Sequence, residues 1–253
     1  MKVIVLSSGS KGNTTFVETD NTKILIDCGN TCKYICQKLA SINVNPKDID
    51  AILISHTHVD HIKGLQVFLH KFNTKVYLTQ KMQPELSYIE NYKFINSNNF
   101  NIKDITIDII KTSHDASDSH GFILTNNNSS MVYVTDTGYI NVKYHEILKN
   151  RNLYIFESNH DVEMLSNSNY PFQLRKRILS DKGHLSNYDS AKYLSEFIGD
   201  NTKYIMLAHL SKENNTQELA YETLIDRLNK TNKHVDNIII AEQDKETELI
   251  EIW

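Results

Sequence analysis

The amino-acid sequence predicts an α/β protein of the αββα type, a four-layer sandwich in which two β-sheets pack together and helices cover their outer faces. Strand-like segments outnumber helical segments in each half of the chain, and each half ends with helical segments that can cover a sheet. The chain has 253 residues, of which 40% are hydrophobic, so it can bury a large core. Because no proline-rich or glycine-rich linker divides it, we predict a single domain over residues 1–253.

The first part of the chain alternates short apolar runs with turns. We predict strands at residues 2–6, 14–18, 23–27, 51–55 and 75–78, and helices at residues 31–41, 64–71 and 81–91. Residues 51–55 begin with a continuous apolar run, which is typical of a strand that is buried on both faces.

The second part repeats this alternation. We predict strands at residues 105–112, 121–125, 131–135, 153–157, 204–208, 237–241 and 248–253, and helices at residues 188–198 and 216–230. Residues 126–130 are polar and small, so they indicate a hairpin turn between two of these strands.

Composition excludes several classes of function. The net charge of −4 argues against a uniformly basic nucleic-acid binder, although a local basic patch is compatible with it. No apolar stretch is as long as a membrane-spanning helix, and the first apolar run is too short for a signal peptide. Cys28, Cys32 and Cys36 lack the CxxC spacing of a redox or metal site. We therefore expect a cytoplasmic protein with reduced thiols and no membrane association.

The segment HTHVDH at residues 56–61 carries four potential metal ligands directly after a predicted strand. Imidazole and carboxylate groups bind divalent ions such as zinc and manganese. In an extended segment His56 and His58 point the same way, whereas the following bend carries Asp60 and His61 to a neighbouring position. The segment therefore indicates two metal ions and needs further ligands from elsewhere in the chain.

Three other polar residues follow the carboxyl ends of predicted apolar strands. They are His114, Asp136 and His209, in the contexts TSHD, VTDTG and AHLS. Because strand ends of this kind can meet at one edge of a sheet, we expect all three to lie near HTHVDH.

Together, these motifs resemble the ligand motifs of the metallo-β-lactamase fold hydrolases, over most of the chain and in the same order. The resemblance implies two divalent ions, which could be zinc, manganese or iron. It assigns His56, His58 and His114 to one ion, Asp60, His61 and His209 to the other, and Asp136 to a bridging position. A hydroxide shared by the ions would then attack the substrate, so no serine or cysteine nucleophile is needed.

A narrower resemblance rests on SSGSKGN at residues 7–13, HTHVDHIKGL at residues 56–65 and KGHLSN at residues 182–187. These segments are similar to those of the YycJ/WalJ group, bacterial metallo-β-lactamase fold proteins regarded as DNA exonucleases. This implies a phosphodiesterase that degrades DNA in the 5′→3′ direction and has a role in DNA repair, specifically mismatch repair. The chain has no room between Asp136 and His184 for the extra domain of the β-CASP nucleases, so loops must select the substrate.

Two residues are expected to act in catalysis. The resemblance to RNA-processing members of the fold implies that His184, which is not a metal ligand, donates a proton to the leaving oxygen. An imidazole suits this role because imidazoles titrate near neutral pH. Asp60 is expected to contribute both to metal binding and to catalysis.

Loops near these motifs supply candidates for substrate binding. We expect contacts from Ser10, Lys11, Asn13, Arg175, Arg177, Lys182 and Ser186. Lysine and arginine neutralise phosphates, and the glycines beside Ser10 allow backbone amides to approach an anion. The cluster of Arg175 and Arg177 can equally be a solvated helix face, and the SSGSKGN segment can equally be a tight turn.

Other functions are compatible with the same motifs. The substrate could instead be RNA, a cyclic nucleotide, a thioester or a lactam. A non-catalytic metal-binding regulator is a second class of alternative, although a complete ligand set disfavours it. Glu157, at the end of a predicted strand, could orient a ligand histidine.

Overall fold

A computed structural model describes the whole chain from Met1 to Trp253, and it contains two seven-stranded sheets. The strands are β1 (Lys2–Ser7), β2 (Thr14–Glu18), β3 (Lys23–Ile26), β4 (Ala51–Leu53), β5 (Lys75–Leu78), β6 (Tyr92–Phe94), β7 (Asn99–Ile102), β8 (Ile105–Lys111), β9 (His120–Asn126), β10 (Ser129–Val134), β11 (Leu153–Glu157), β12 (Tyr204–Ala208), β13 (Asn237–Ile240) and β14 (Ile250–Glu251). The helices are α1 (Cys32–Ser41), α2 (Val59–Ile62), α3 (Leu65–Phe72), α4 (His145–Leu148), α5 (Val162–Ser166), α6 (Phe172–Ile178), α7 (Asn187–Phe197) and α8 (Gln217–Lys230).

Each sheet is antiparallel at one side and parallel at the other. Sheet one has the order β14, β1, β2, β3, β4, β5, β6, and sheet two has the order β13, β12, β11, β10, β9, β8, β7. Strands β3 to β6 are mutually parallel, as are β10 to β13. The parallel strands of each sheet therefore end at a common edge, where the following loops meet.

The hydrophobic core has three layers, which confirms the predicted αββα sandwich. The central layer lies between the sheets and includes Leu53, Met131 and Tyr133. On the outer face of sheet one, α1 and α3 pack through residues such as Ile35 and Phe68. On the outer face of sheet two, α7 and α8 pack in the same way.

The predicted helix at residues 81–91 is wrong. Residues 80–88 form successive turns, in which the amides of Met82, Glu85 and Ile89 each bond to a carbonyl three residues earlier. Met82, Leu86 and Ile89 are buried, so their helix-like spacing reflects packing against sheet one. The sequence analysis also missed the short strands β6 and β7.

None of the helices combines the length and apolar character needed to span a bilayer.

Candidate metal centre

The edge where the parallel strands end holds all seven candidate metal ligands. His56, Asp136 and His209 follow β4, β10 and β12, and His114 follows the antiparallel strand β8. His58 precedes the short helix α2, which carries Asp60 and His61. Sheet one thus supplies the HTHVDH ligands, and sheet two supplies the other three.

The seven side chains form overlapping groups whose possible ligand atoms lie within 4.8 Å of one another. One group contains His56, His58 and His114, a second contains Asp60, His61 and His209, and a third contains His56, His61 and Asp136. Nε2 of His114 lies 3.2 Å from Nδ1 of His58. Asp136 lies between the groups, because its Oδ2 is 3.1 Å from Nε2 of His61 and its Oδ1 is 3.8 Å from Nε2 of His114.

The chemistry of this donor set fits two divalent cations. Nε2 of His56 and Nε2 of His209 are buried and have no hydrogen-bond partner. An unpaired polar atom in the interior costs about 1–3 kcal/mol, and bound cations would remove that cost at both atoms. Imidazole nitrogen and carboxylate oxygen together suit zinc, manganese or iron, so the donors do not select among these metals.

The charges around the centre shift several pKa values strongly. Burial and the neighbouring His61 hold the pKa of His56 well below its usual range. Burial alone would raise the pKa of Asp136, but His209 and His61 outweigh it and hold this pKa well below the usual range. Burial lowers the pKa of His209, whereas Asp136 and Asp60 raise it more, to about 10. The neighbouring carboxylates favour the protonated form of such histidines, and a cation that binds to the ring nitrogens would displace these protons.

A buried carboxylate that the sequence analysis missed, Asp27, orients His61. Nδ1 of His61 donates to Oδ2 of Asp27 at 2.7 Å, and the backbone amide of Ser55 donates to Oδ1 at 2.8 Å. The hydroxyl of Tyr133, on sheet two, donates to the same carboxylate at 3.2 Å. This arrangement turns Nε2 of His61 toward the ligand groups. Carboxylates that accept a hydrogen bond from the other ring nitrogen orient metal-bound histidines in the same way. Asp27 directly follows β3, whereas the sequence analysis placed it inside the predicted strand at residues 23–27.

Glu157, at the end of β11, is fully buried behind the centre. Its Oε1 accepts a hydrogen bond from Nδ1 of His184 at 2.7 Å and lies 3.1 Å from Nδ1 of His209. Its Oε2 accepts from the backbone amides of Thr137 and Leu185. Burial raises the pKa of Glu157, but the charge of His184 and the hydrogen bonds from His184 and His209 lower it to about 2. The carboxylate is therefore charged and holds His184 at the edge of the centre.

The backbone at three strand ends adopts an unusual conformation. Asp27, Asp136 and His209 have φ angles of 61°, 57° and 58°, in the left-handed region that non-glycine residues rarely occupy. Conformations of this kind persist where surrounding contacts fix them, and they cluster at functional sites. The strand ends at the centre are therefore held in place by tertiary contacts.

The SSGSKGN turn packs beneath the ligand segment. The backbone amide of Asn13 donates to the carbonyl of Asp60 at 2.7 Å, and Nδ2 of Asn13 lies 2.9 Å from Nε2 of His61. Gly29 is packed against the same segment, because a Cβ atom there would lie 1.7 Å from the carbonyl oxygen of Asp60. Asn13 is buried, so it contacts the metal ligands from within the protein.

A cavity of about 270 Å³ opens over the centre. Of the candidate substrate-binding residues, Ser10 and Arg177 line it, together with His184 and Tyr170. Arg177 forms a two-point ion pair with Asp115, which includes an Nη2–Oδ1 distance of 2.8 Å.

The other candidate substrate-binding residues lie outside this lining. Lys11 pairs with Asp244 at 3.1 Å, and Arg175 donates to the carbonyl of Ser166. Lys182 is exposed. Ser186 is buried and caps the amino end of α7.

Comparisons with known proteins agree with this geometry. A family model described as the metallo-beta-lactamase superfamily matches residues 8–209. The chain is 40% identical to a protein of Streptococcus pneumoniae named exodeoxyribonuclease WalJ, over 239 residues that cover 90% of this chain and 88% of the relative. It is 40% identical to exodeoxyribonuclease YycJ of Bacillus anthracis, over 224 residues that cover 85% of this chain and 84% of the relative.

Solved structures show the same fold. The metallo-beta-lactamase fold protein YhfI of Bacillus subtilis superposes with a TM-score of 0.73, at 17% identity, over 98% of this chain and 99% of the other. The match of the family model and the identity to two relatives both extend over most of the chain. The chain therefore belongs to the metallo-β-lactamase superfamily and is a hydrolase of that superfamily.

Proposed function

We propose that this hydrolase is a metal-dependent phosphodiesterase that degrades DNA as an exonuclease. The observation that carries the proposal is the position of His184. It shares a possible ligand group with Asp136, Glu157 and His209 but none with HTHVDH. It lines the same cavity as Asp60 and His114, and its Nδ1 is held by Glu157. The names of the relatives that are 40% identical over most of the chain support DNA as the substrate.

The residues around the cavity can divide the proton transfers of hydrolysis between them. When bound, two divalent cations supply Lewis acidity that activates water and neutralises charge on a phosphate. Asp60, with a side chain that is 22% exposed, can accept a proton from the attacking water. His184 donates through Nδ1 to Glu157, so its Nε2 remains to protonate the leaving oxygen of the cleaved phosphodiester.

Glu157 acts on this step through His184. Its low pKa, about 2, keeps the carboxylate charged while the neighbouring imidazole gains or loses a proton. The hydrogen bond of 2.7 Å to this buried carboxylate fixes the orientation of the ring. Glu157 is therefore a positioning residue, whereas His184 is the group expected to contact the substrate.

Substrate contacts follow from the lining of the cavity. We propose that Ser10 and Arg177 contact phosphates directly and that Lys11, Arg175 and Lys182 attract the strand from the rim. Asn13 and Ser186 are buried, so we propose that they act by holding Asp60 and the start of α7. Loops of a single domain would then select the substrate, without a β-CASP insertion.

The narrower proposals rest on the YycJ/WalJ-like segments at residues 7–13 and 182–187. These segments support a 5′→3′ direction and a role in DNA repair. The direction of degradation depends on which end of a DNA strand enters the cavity, so it can be measured independently of the hydrolytic step.

End-labelled substrates test the proposal. Protein loaded separately with Mn²⁺, Zn²⁺ or Fe²⁺ would be incubated with duplex DNA, single-stranded DNA and RNA, each labelled at the 5′ or the 3′ end. We expect the wild type to release the 5′ label of DNA as a mononucleotide. We expect Asp60→Ala to lose both metal and activity. Turnover of a thioester with no cleavage of any nucleic acid would refute the phosphodiesterase proposal.

A further inference from the structure

We propose that a second cleft, next to the metal centre, binds the nucleoside that neighbours the cleaved phosphate. This inference rests on the proposed DNA nuclease function and assigns it a substrate subsite. The cleft has a volume of about 280 Å³ and lies between the start of α8 and the segment after β13. Its volume is near the lower end of small-molecule pockets, about 300 Å³, so it suits a ligand of the size of one nucleoside.

The cleft adjoins the cavity over the metal centre. Leu210 and Ser211 line both, and they directly follow the candidate ligand His209. Consecutive Cα atoms are about 3.8 Å apart, so Ser211 lies within about 8 Å of His209 along the chain. A strand with its phosphate at the metal centre can therefore place the adjoining sugar and base over these residues.

A second contact joins the two cavities at their other side. Nε2 of Gln243 donates to Oγ of Ser10 at 3.4 Å. Ser10 lines the cavity over the metal centre, whereas Gln243 lines the cleft. The two spaces thus share a boundary at two separate points.

The lining of the cleft suits a base. Leu210, Ile240 and Ala241 give it an apolar side, against which the face of a base can pack. Gln217 and Gln243 carry amides, which can both donate to and accept from the edge of a base. Because apolar packing does not depend on which base is bound and amides can both donate and accept, this lining suits any of the four bases.

Of the charged side chains that line the cleft, one lysine forms no ion pair. Its two carboxylates are already paired, because Asp244 lies 3.1 Å from Lys11 and Glu242 lies 3.4 Å from Lys245. Lys212 is exposed, lines the cleft and takes part in no ion pair. Its ammonium group is therefore available to the phosphate on the far side of the bound nucleoside.

Two variants test the subsite. Gln217→Trp places a large ring in the cleft, and Lys212→Ala removes the free charge. The matched controls are Gln37→Trp, at an exposed glutamine of α1, and Lys203→Ala, at an exposed lysine before β12. The substrates are a DNA oligonucleotide and bis(4-nitrophenyl) phosphate, a phosphodiester without a nucleobase.

We expect both cleft variants to raise KM for the oligonucleotide, by roughly tenfold for Gln217→Trp, in line with the loss of contacts to one base. The turnover of bis(4-nitrophenyl) phosphate should stay at the wild-type level, and both control variants should match the wild type on both substrates. An unchanged KM for the oligonucleotide in both cleft variants would overturn the subsite while leaving the nuclease proposal intact.

If the wild type cleaves no DNA, the nuclease proposal fails. A binding measurement then tests the subsite separately. Calorimetric titration of metal-loaded wild type would compare deoxyadenosine monophosphate with deoxyribose 5-phosphate, which lacks the base. Tighter binding of the nucleotide, lost in Gln217→Trp and kept in Gln37→Trp, supports the subsite. Equal binding of the two compounds contradicts it.

Discussion

Nδ1 of His184 donates a hydrogen bond of 2.7 Å to the fully buried carboxylate of Glu157. The same carboxylate oxygen lies 3.1 Å from Nδ1 of His209, a candidate metal ligand. One buried charge therefore fixes the orientation of both the expected proton donor and a candidate metal-binding ring. The two functions proposed for the centre, holding cations and moving protons, would share this residue.

The proton-donor role of His184 predicts an effect that depends on the leaving group. We expect His184→Ala to lower kcat on DNA by about 10²–10⁴, the usual contribution of a general acid. On bis(4-nitrophenyl) phosphate the loss should be less than roughly tenfold, because nitrophenolate leaves without being protonated. Steady-state kinetics on both substrates gives the comparison, with His234→Ala at an exposed histidine as the control. Equal losses on the two substrates would mean that His184 is not the donor.

The hydrogen bond between His61 and Asp27 predicts a loss of metal affinity in Asp27→Asn. Asparagine tolerates the positive φ of 61° at this position, so the backbone should be retained. We expect the affinity for the metal to fall about 10–100-fold, as it does when the carboxylate behind a ligand histidine is removed. Competition with a chelator measures this affinity. Asp48→Asn, at an exposed aspartate, is the control and should bind metal as the wild type does.

The close packing of Gly29 against the ligand segment predicts that Gly29→Ala is severely destabilising. The new methyl group would overlap the carbonyl oxygen of Asp60, so the backbone must move. We expect a loss of about 3 kcal/mol or more in the free energy of unfolding, with weaker metal binding. Denaturant unfolding and metal analysis test this. In Gly199→Ala the new methyl group meets the side chain of Asn150, which can move, and metal binding should be unaffected.

The buried His120 predicts a specific dependence of stability on pH. Burial lowers its pKa to about 4 in the folded protein, from 6.5 in the unfolded chain, with Lys111 and Lys81 adding to the shift. Between these values the unfolded chain binds the proton, so the stabilising contribution is fully present above pH 6.5 and is lost as the pH falls toward 4.

The full difference is about 3 kcal/mol, since one pKa unit corresponds to about 1.4 kcal/mol. In chelator-treated protein, His120→Gln should lose less unfolding free energy than the wild type across this interval. Comparison of the two proteins cancels the groups that they share, including the other histidines. Parallel pH curves for the two proteins would rule out the assignment to His120.

Much of the fold follows from local sequence patterns. Strands such as β4, β11 and β12 are apolar because both faces are buried, and this burial is visible in the sequence. The short edge strand β6 is largely exposed, so it carries no such pattern. At residues 81–91 the apolar spacing predicted a helix, but turns with bonds three residues apart produce nearly the same spacing.

The centre was predictable to the extent that its residues follow strands. The sequence analysis selected histidines and two aspartates by that position. It passed over Asp27 because the predicted strand at residues 23–27 included this residue, whereas β3 ends one residue earlier. The roles of Asn13 and Gly29 depend on a contact between segments more than 30 residues apart in the chain. A contact of this kind arises only when the sheet has formed, so no local pattern indicates it.

The candidate ligands come from both sheets, and the hydroxyl of Tyr133 on sheet two reaches Asp27 on sheet one. The distance between the two halves of the ligand set is therefore fixed by the thickness of the apolar layer between the sheets. Buried side chains such as Leu53 and Met131 therefore set the spacing of the candidate ligand atoms. Cations bound here would in turn link the two sheets to each other. The core and the candidate metal centre of this enzyme would then each help to fix the position of the other.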